Sequence, residues 1–388
     1  MRQLVNHTNG RITATPSTNL GIHTLLVDAT FLLKRSFKAT ENSKEYHNSK
    51  GNFGALYLFM TTLRKLVREL GVNKVMIMWD GENGGKLRHD IYPDYKANRE
   101  NKDWYNRTVL TEAQIREQTM SKRTMLAQAN RIKKYCEELF FRQAEARFIE
   151  GDDMIAYYCH RYHLEEMITV FTGDGDALGL VELDNVGVYL GKKNMVFNKH
   201  NYFLHFDYHY SNAYLLKTFC GCNSDNISGV IGLGETSLVN YFPDLKNRTY
   251  GYREIMVEAE RINTERQAGK GKLKKPRLKA LDSIIAGSTM RYNMVSGKDE
   301  QVDLGEELYE TNYKLVNLME PLMTPQAIEE VEDNAELPLD DSNRGSKNLL
   351  RLMNEDLFLQ GFGDNFQKYV EVFYPIIIRE REFTKKAA

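Results

Sequence analysis

Eight acidic side chains, Asp28, Asp80, Glu150, Asp152, Asp153, Asp174, Asp176 and Asp225, fall in five short segments within the first 230 residues of the chain. Carboxylates that share one crevice repel each other and call for cations between them. Magnesium takes oxygen ligands and keeps several of its waters, so acids acting directly or through water suit it. Two such ions about 4 Å apart activate a water and stabilise the leaving oxygen of an in-line displacement at a phosphodiester. Taken one at a time these residues say little, because an Asp after a strand is commonly a helix cap or turn former. Asp174-Gly175-Asp176 resembles the opening of a calcium loop, but its twelfth position is Asn185 rather than Glu, and a strand precedes it. Together they require four or five coincidences at one sheet edge, which favours a metal-dependent site.

The elements around them explain how they would meet. Four segments follow apolar runs that read as buried strands: Leu25–Asp28, Val75–Asp80, Phe148–Glu150 and Val170–Thr172. A parallel sheet brings the carboxyl ends of such strands to one edge. The fifth, Asn223-Ser224-Asp225-Asn226, reads as a loop. Between the first two strands, Leu56, Phe59, Met60, Leu63, Leu66, Val67 and Leu70 share one face of a helix over 53–70, which Gly71 closes. The alternation predicts a doubly wound α/β fold. A helix over 152–163 would point its positive end at the acids. Residues 84–122 interrupt the rhythm with a polar, basic excursion carrying Tyr92, Tyr95, Trp104 and Tyr105, before helical spacing resumes over 123–141. Residues 1–20 read as a loose extension and 206–388 as a mostly helical region, with a basic loop at 262–280, another loop at 331–347 and helical spacing over 349–379.

Composition sets the bounds. The 388 residues hold 52 Lys+Arg against 53 Asp+Glu, for a net charge of −1, and 42% are apolar. That describes a globular chain whose local charge matters more than its total. Cys136, Cys159, Cys220 and Cys222 form no CxxC pair. With no signal peptide and no membrane span to be read, cytoplasmic location is expected, in a host cytoplasm if the chain is phage-encoded.

Several runs resemble the flap endonuclease / 5′→3′ exonuclease superfamily of PIN-like nucleases, and most of all its T-even-phage type of ribonuclease H. They are Val27-Asp28-Ala29-Thr30, Trp79-Asp80-Gly81, Arg88 to Arg99, Glu150-Gly151-Asp152-Asp153, Thr172 to Asp176, and Ser224 to Gly234. Order and spacing match over about 22–243. The resemblance implies a PIN-like domain over 21–205 with a basic arch near 84–122, then a helical region with a DNA-binding helix-turn-helix variant near 221–243. It implies a magnesium-dependent 5′ nuclease with two ions, for which manganese would substitute. Asp28, Asp80, Glu150, Asp152 and Asp153 would serve the first ion. Asp174, Asp176 and Asp225 would serve the second, with Asp174 between the two. Lys96 would stabilise the scissile phosphate. Lys96 and Arg99, with Arg88 upstream, would share one helical face toward a phosphate, Arg35 would touch the backbone and Tyr95 would stack on a base. Gly229, Gly232 and Gly234, with Ser237, would hold duplex phosphates, with a monovalent cation bound there. The usual basic residue after these glycines is absent, so Lys270, Lys272, Lys274 and Lys275 are alternatives for that grip.

One position departs from the family pattern. An acid is usual three residues before Asp225, and here it is Cys222, a poor ligand for a hard cation. The pair Cys220 and Cys222 reads as a core residue and a loop residue rather than a zinc site. The expected substrates are DNA or RNA–DNA duplexes with a 5′ end or flap, with replication proteins as further partners of a monomeric chain. The alternative is a branched-DNA-binding protein that kept the fold and lost turnover.

Overall fold

The computed structural model describes residues 20–49, 51–97, 108–230, 232–269, 278–293, 296–359 and 365–387, with short strands at 3–5, 13–15 and 102–103. The strands at 3–5 and 13–15 pair antiparallel. By contacts the chain forms two units. One comprises 1–84, 116–198 and 323–388, the other 85–115 and 199–322. The sheet therefore shares its unit with the last 66 residues of the chain, and the basic excursion belongs to the other unit as far as Ile115.

Six strands make the main sheet of the first unit: His23–Asp28 (β1), Lys74–Asp80 (β2), Arg142–Ala146 (β3), Met167–Thr172 (β4), Val186–Leu190 (β5) and Met195–Phe197 (β6). Their order is β6-β5-β4-β1-β2-β3, all parallel except the β5–β6 pair. Leu25, Leu26, Val27, Val75, Met76, Ile77 and Met78 have no exposed surface, as strands covered on both faces require. Each such side chain contributes about 1.5–3 kcal/mol by leaving water. Strand order reverses between β1 and β4, and a crevice opens outside the carboxyl ends of the strands at such a switch point.

The third expected strand lies elsewhere. Phe148 and Ile149 are in a turn, where Phe148 takes φ 72° and the Ile149 N–H donates to Ala146 O at 3.2 Å. The strand is the preceding Arg142–Ala146, an edge strand in which Arg142, Ala144 and Ala146 are buried and Glu145 is exposed. Its alternation lacks the apolar run that marks a central strand.

Helix α1 (Ala29–Thr40) follows β1, and α2 (Gly54–Leu70) packs on it with Phe59, Met60 and Leu63 fully buried. Gly71 ends α2 at φ 62°, its N–H bonded to Val67 O, the left-handed cap the sequence predicts. A short helix α3 (Lys86–Ile91) stands in the excursion. Helix α4 (Glu112–Glu138) starts eleven residues before the expected 123, and α5 (Gly151–Tyr162) packs on β1 and β2. The second unit holds α6 (Ala213–Cys220), α7 (Glu235–Tyr241), α8 (Tyr252–Gln267), α9 (Leu278–Ala286) and α10 (Glu306–Val316). It also holds an antiparallel pair, Ser288–Asn293 with Lys298–Asp303, which the helical expectation missed.

Helices α11 (Pro325–Glu336), α12 (Ser346–Glu355), α13 (Phe366–Val370) and α14 (Tyr374–Ala387) complete the first unit. The loop expected from 331 thus begins only after Glu336, because Pro325 and the Thr324 cap start a helix that the acidic composition disguised. A buried pair fastens this part to the sheet. Arg142 donates from Nε and Nη2 to Glu380 at 3.0 and 2.5 Å, and from Nη1 to the carbonyls of Asn334 and Leu337.

Candidate metal centre

Asp28 ends β1 and caps α1. Its Oδ1 accepts the Phe31 N–H at 2.9 Å and its Oδ2 accepts the Thr172 hydroxyl at 2.8 Å. Thr172 ends β4, on the far side of the switch point, and its hydroxyl also accepts the Asp174 N–H at 3.1 Å. One threonine thus ties two candidate ligands together. Asp80 ends β2, its N–H bonded to the Thr30 hydroxyl at 3.2 Å and its Oδ1 accepting the Gly151 N–H at 2.8 Å. That bond sets the start of α5, whose cap is Glu150 and whose first turn carries Asp152 and Asp153. Asp174 is exposed and receives the Asp176 N–H on Oδ1 at 3.0 Å. Between Thr172 and Asp174, Gly173 lies against the Phe31 ring, where a Cβ would come within 1.9 Å of it. Only glycine lets the acidic turn approach α1 so closely.

Electrostatics shows that these groups form one cluster. Burial, followed by the charges of Asp80 and Asp174, pushes the Asp28 carboxyl up to about 6 against the pull of its two hydrogen bonds. Burial pushes Asp152 well above the usual carboxylate range, with Asp28, Asp174, Asp80 and Glu150 adding repulsion in that order. Five acids from four segments therefore feel one another's charge. Among the described residues no three of them close into a finished coordination shell. An all-oxygen donor set under mutual repulsion fits a hard divalent cation that keeps part of its water. Asp153 is buried at 1% exposure in the first turn of α5, and Asp176 is half-buried. The sequence did not single out Thr30 and Thr172 for these roles, although both stand inside the quoted motifs; a hydroxyl one or two residues from a strand-end acid was the available signal.

The second unit carries the remaining expected residues. Asp225 lies in a single 3-10 turn, Asn223–Asp225, and the Cys222 thiol donates to its Oδ2 at 3.4 Å while lying 3.1 Å from the Ser224 hydroxyl. The residue in place of the usual acid therefore hydrogen-bonds the neighbouring acid. Cys220 is half-buried, and burial pushes its thiol up to about 12.

The basic excursion differs from its expected form. Arg88 is only 5% exposed and its Nε donates to Leu315 O at 2.9 Å, so it braces the unit instead of facing a phosphate. Tyr95 is 3% exposed, with the Lys96 ammonium 4.7 Å from its ring centroid, so it supports Lys96 and offers no face to a base. Lys96 takes φ 56°, which breaks the helical turn expected to align it with Arg99. Arg99 lies outside the described residues, as do Lys270, Lys272, Lys274 and Lys275. Arg35 is exposed on α1, in the first unit.

The glycines of the helix-turn-helix variant do different jobs. Gly229 is packed: a Cβ there would meet Cys220 C and Gly221 N at 2.3 Å, so close contact and not an anion nest explains it. Gly232 takes φ 75° and is exposed. Gly234 caps α7, where its carbonyl accepts the N–H of half-buried Ser237 at 2.9 Å.

A parallel sheet with acids at the carboxyl ends of β1, β2 and β4 and at the start of α5 defines a PIN-like nuclease domain. Comparison with known proteins gives the family. Residues 23–207 match the model of the 5′-3′ exonuclease N-terminal resolvase-like domain. A 5′-3′ exonuclease of Halalkalibacterium halodurans is 30% identical over 244 residues, covering 60% of this chain and 72% of that protein. One of Mycoplasmopsis pulmonis is 25% identical over 260 residues, covering 66% and 77%. The chain belongs to the 5′-3′ exonuclease family. The solved structure of the T5 5′-exonuclease with divalent metal ions (zinc) superposes with a TM-score of 0.52 at 19% identity, covering 86% of this chain and 98% of that one, which confirms the fold.

Proposed function

We propose that the chain is a divalent-metal-dependent 5′ nuclease that hydrolyses phosphodiesters at 5′ ends or flaps of DNA or RNA–DNA duplexes. One observation carries this reading: five carboxylates from four segments gather at the sheet's switch point, where burial and then the charges of neighbouring acids raise the proton affinity of Asp28 and Asp152. The T5 5′-exonuclease has been solved with divalent metal ions, and the T5 flap endonuclease in complex with DNA and metal ions, which supports it. Asp28, Asp80, Glu150, Asp152 and Asp153 are the ligands proposed for a first magnesium. Asp174, Asp176 and Asp225 are proposed for a second, with Cys222 leaving that set one charge short. Bound divalent cations would supply a water of lowered pKa and neutralise charge on the phosphate.

The chain's own groups do the rest. Thr172 and the Phe31 N–H fix both oxygens of Asp28, while the Gly151 N–H fixes one oxygen of Asp80, so these acids are aimed before any cation arrives. Lys96 offers a cation for the charge that develops on the phosphate. Arg35, Arg99, Gly232, Gly234 and Ser237 are proposed to contact the nucleic-acid backbone, the glycines with a monovalent cation. We place the activity in the cytoplasm, during replication or repair. The binding-only alternative rests on Cys222 alone and has no support from the intact acids of the first unit.

Replacing Asp153 or Asp174 by Asn should abolish magnesium-dependent cleavage of a 5′-labelled duplex while binding persists. Cleavage at the wild-type rate by both variants would refute the site.

A further inference from the structure

Two turns of the second unit are clasped together. The Lys96 N–H donates to Asp225 O at 2.9 Å, and the Asn226 carboxamide donates from Nδ2 to Asp94 O, also at 2.9 Å. Both turns hold left-handed backbone, Lys96 at φ 56° and Asn226 at φ 58°. Asparagine adopts that region readily, whereas lysine needs its surroundings to hold it there. Asn226 is 6% exposed, and the turn it ends is closed by paired bonds between Cys222 and Ile227, at 3.0 and 2.9 Å. On the other side, Tyr95 lies under the Lys96 ammonium, and Arg88 stands over the same ring, 5.9 Å from its centroid. The main chain of Lys96 is thus held by the turn that carries Asp225, and that turn is held by Asn226.

We infer that Asn226 is a positioning residue that fixes Lys96 for cleavage and ties it to the segment of Asp225. Without the carboxamide, Asp94 O keeps the Ala97 N–H at 3.1 Å but loses the bond that ties it to the turn of Asp225, so the turn over 94–97 relaxes and Lys96 leaves the left-handed region. The inference rests on the role of Lys96 proposed above.

The test uses the full chain and compares Asn226→Gly, Lys96→Ala and the double variant. Glycine keeps the left-handed backbone and deletes only the side-chain bond. Asn226→Gly should lower kcat about tenfold, the rate equivalent of one well-placed hydrogen bond, with KM within about twofold. In the Lys96→Ala background the same change should cost less than about twofold, because both act through one side chain. Amide exchange at Lys96 should accelerate in Asn226→Gly. An unchanged kcat, losses that multiply in the double variant, or unaltered exchange at Lys96 would each overturn the inference. If Lys96→Ala cleaves as fast as wild type, the catalytic reading of Lys96 fails by itself, and the exchange measurement still decides whether the clasp exists.

Discussion

At the scale of single residues, the acids behave as a charged spring held by burial. Asp28 carries its proton up to about pH 6 in the fold, against an ordinary 3.8. Between those values the folded state binds more protons than the unfolded chain, so its stability falls as pH rises through that window. The difference corresponds to about 3 kcal/mol at neutral pH. Asp28→Asn removes the charge and keeps an acceptor for the Phe31 N–H. Without divalent metal, this variant should melt higher than wild type at pH 7, with the gap closing toward pH 4. Magnesium should raise the wild-type midpoint at pH 7 by more than the variant's, which keeps the other acids but lacks the Asp28 charge. Calorimetry with and without EDTA checks both, and an Asn variant no more stable than wild type at pH 7 would remove the electrostatic basis of the site. These acids were legible in the sequence because each follows or opens a regular element. The duties of Arg88 and Tyr95 were not, because Leu315, the partner of Arg88, is 227 residues further on and the ring beside Lys96 reads equally well as exposed or buried.

At the scale of elements, the central strands and α2 declared themselves by continuous apolar runs and by one-sided helical spacing ended by Gly71. The edge strand β3 did not, since an edge strand has one solvated side and breaks its apolar run. What holds β3 is the buried Arg142–Glu380 pair, each side chain 1% exposed. Removing one partner of such a pair strands the other charge, at a cost of about 3–5 kcal/mol. Glu380→Gln should therefore lower the denaturation midpoint markedly. Arg142 stands at the amino end of β3, whereas the acids gather at the carboxyl ends, so cleavage well below the melting temperature should keep its wild-type kcat. Urea unfolding alongside steady-state kinetics measures both. A midpoint shift of less than about 1 kcal/mol would show that the pair is replaceable by its carbonyl bonds to Asn334 and Leu337.

At the scale of the whole molecule, chain order and spatial grouping disagree. The sequence suggests a nuclease domain followed by a helical appendage, because composition and helical spacing change once near residue 205. The closing segment nonetheless belongs to the sheet's unit, through partners no local pattern could reveal. Arg131 and Tyr135 bind Asp356, Arg64 donates to the carbonyls of Lys368 and Tyr369, and the Phe141 and Phe373 rings meet at 5.5 Å. A chain ending at Leu322 would uncover Phe141 and Tyr135, both now at most 1% exposed, and leave Arg142 without its carboxylate. If 323–388 were an appendage, that truncated chain would be a soluble, cooperatively melting nuclease of reduced affinity. The packing predicts instead that it fails to fold, because several large apolar side chains and one buried charge lose their cover together. Circular dichroism melting and gel filtration of the truncated chain separate the two outcomes, and a monomer that melts within a few degrees of the full chain would show that the C-terminal helices are not part of the nuclease core.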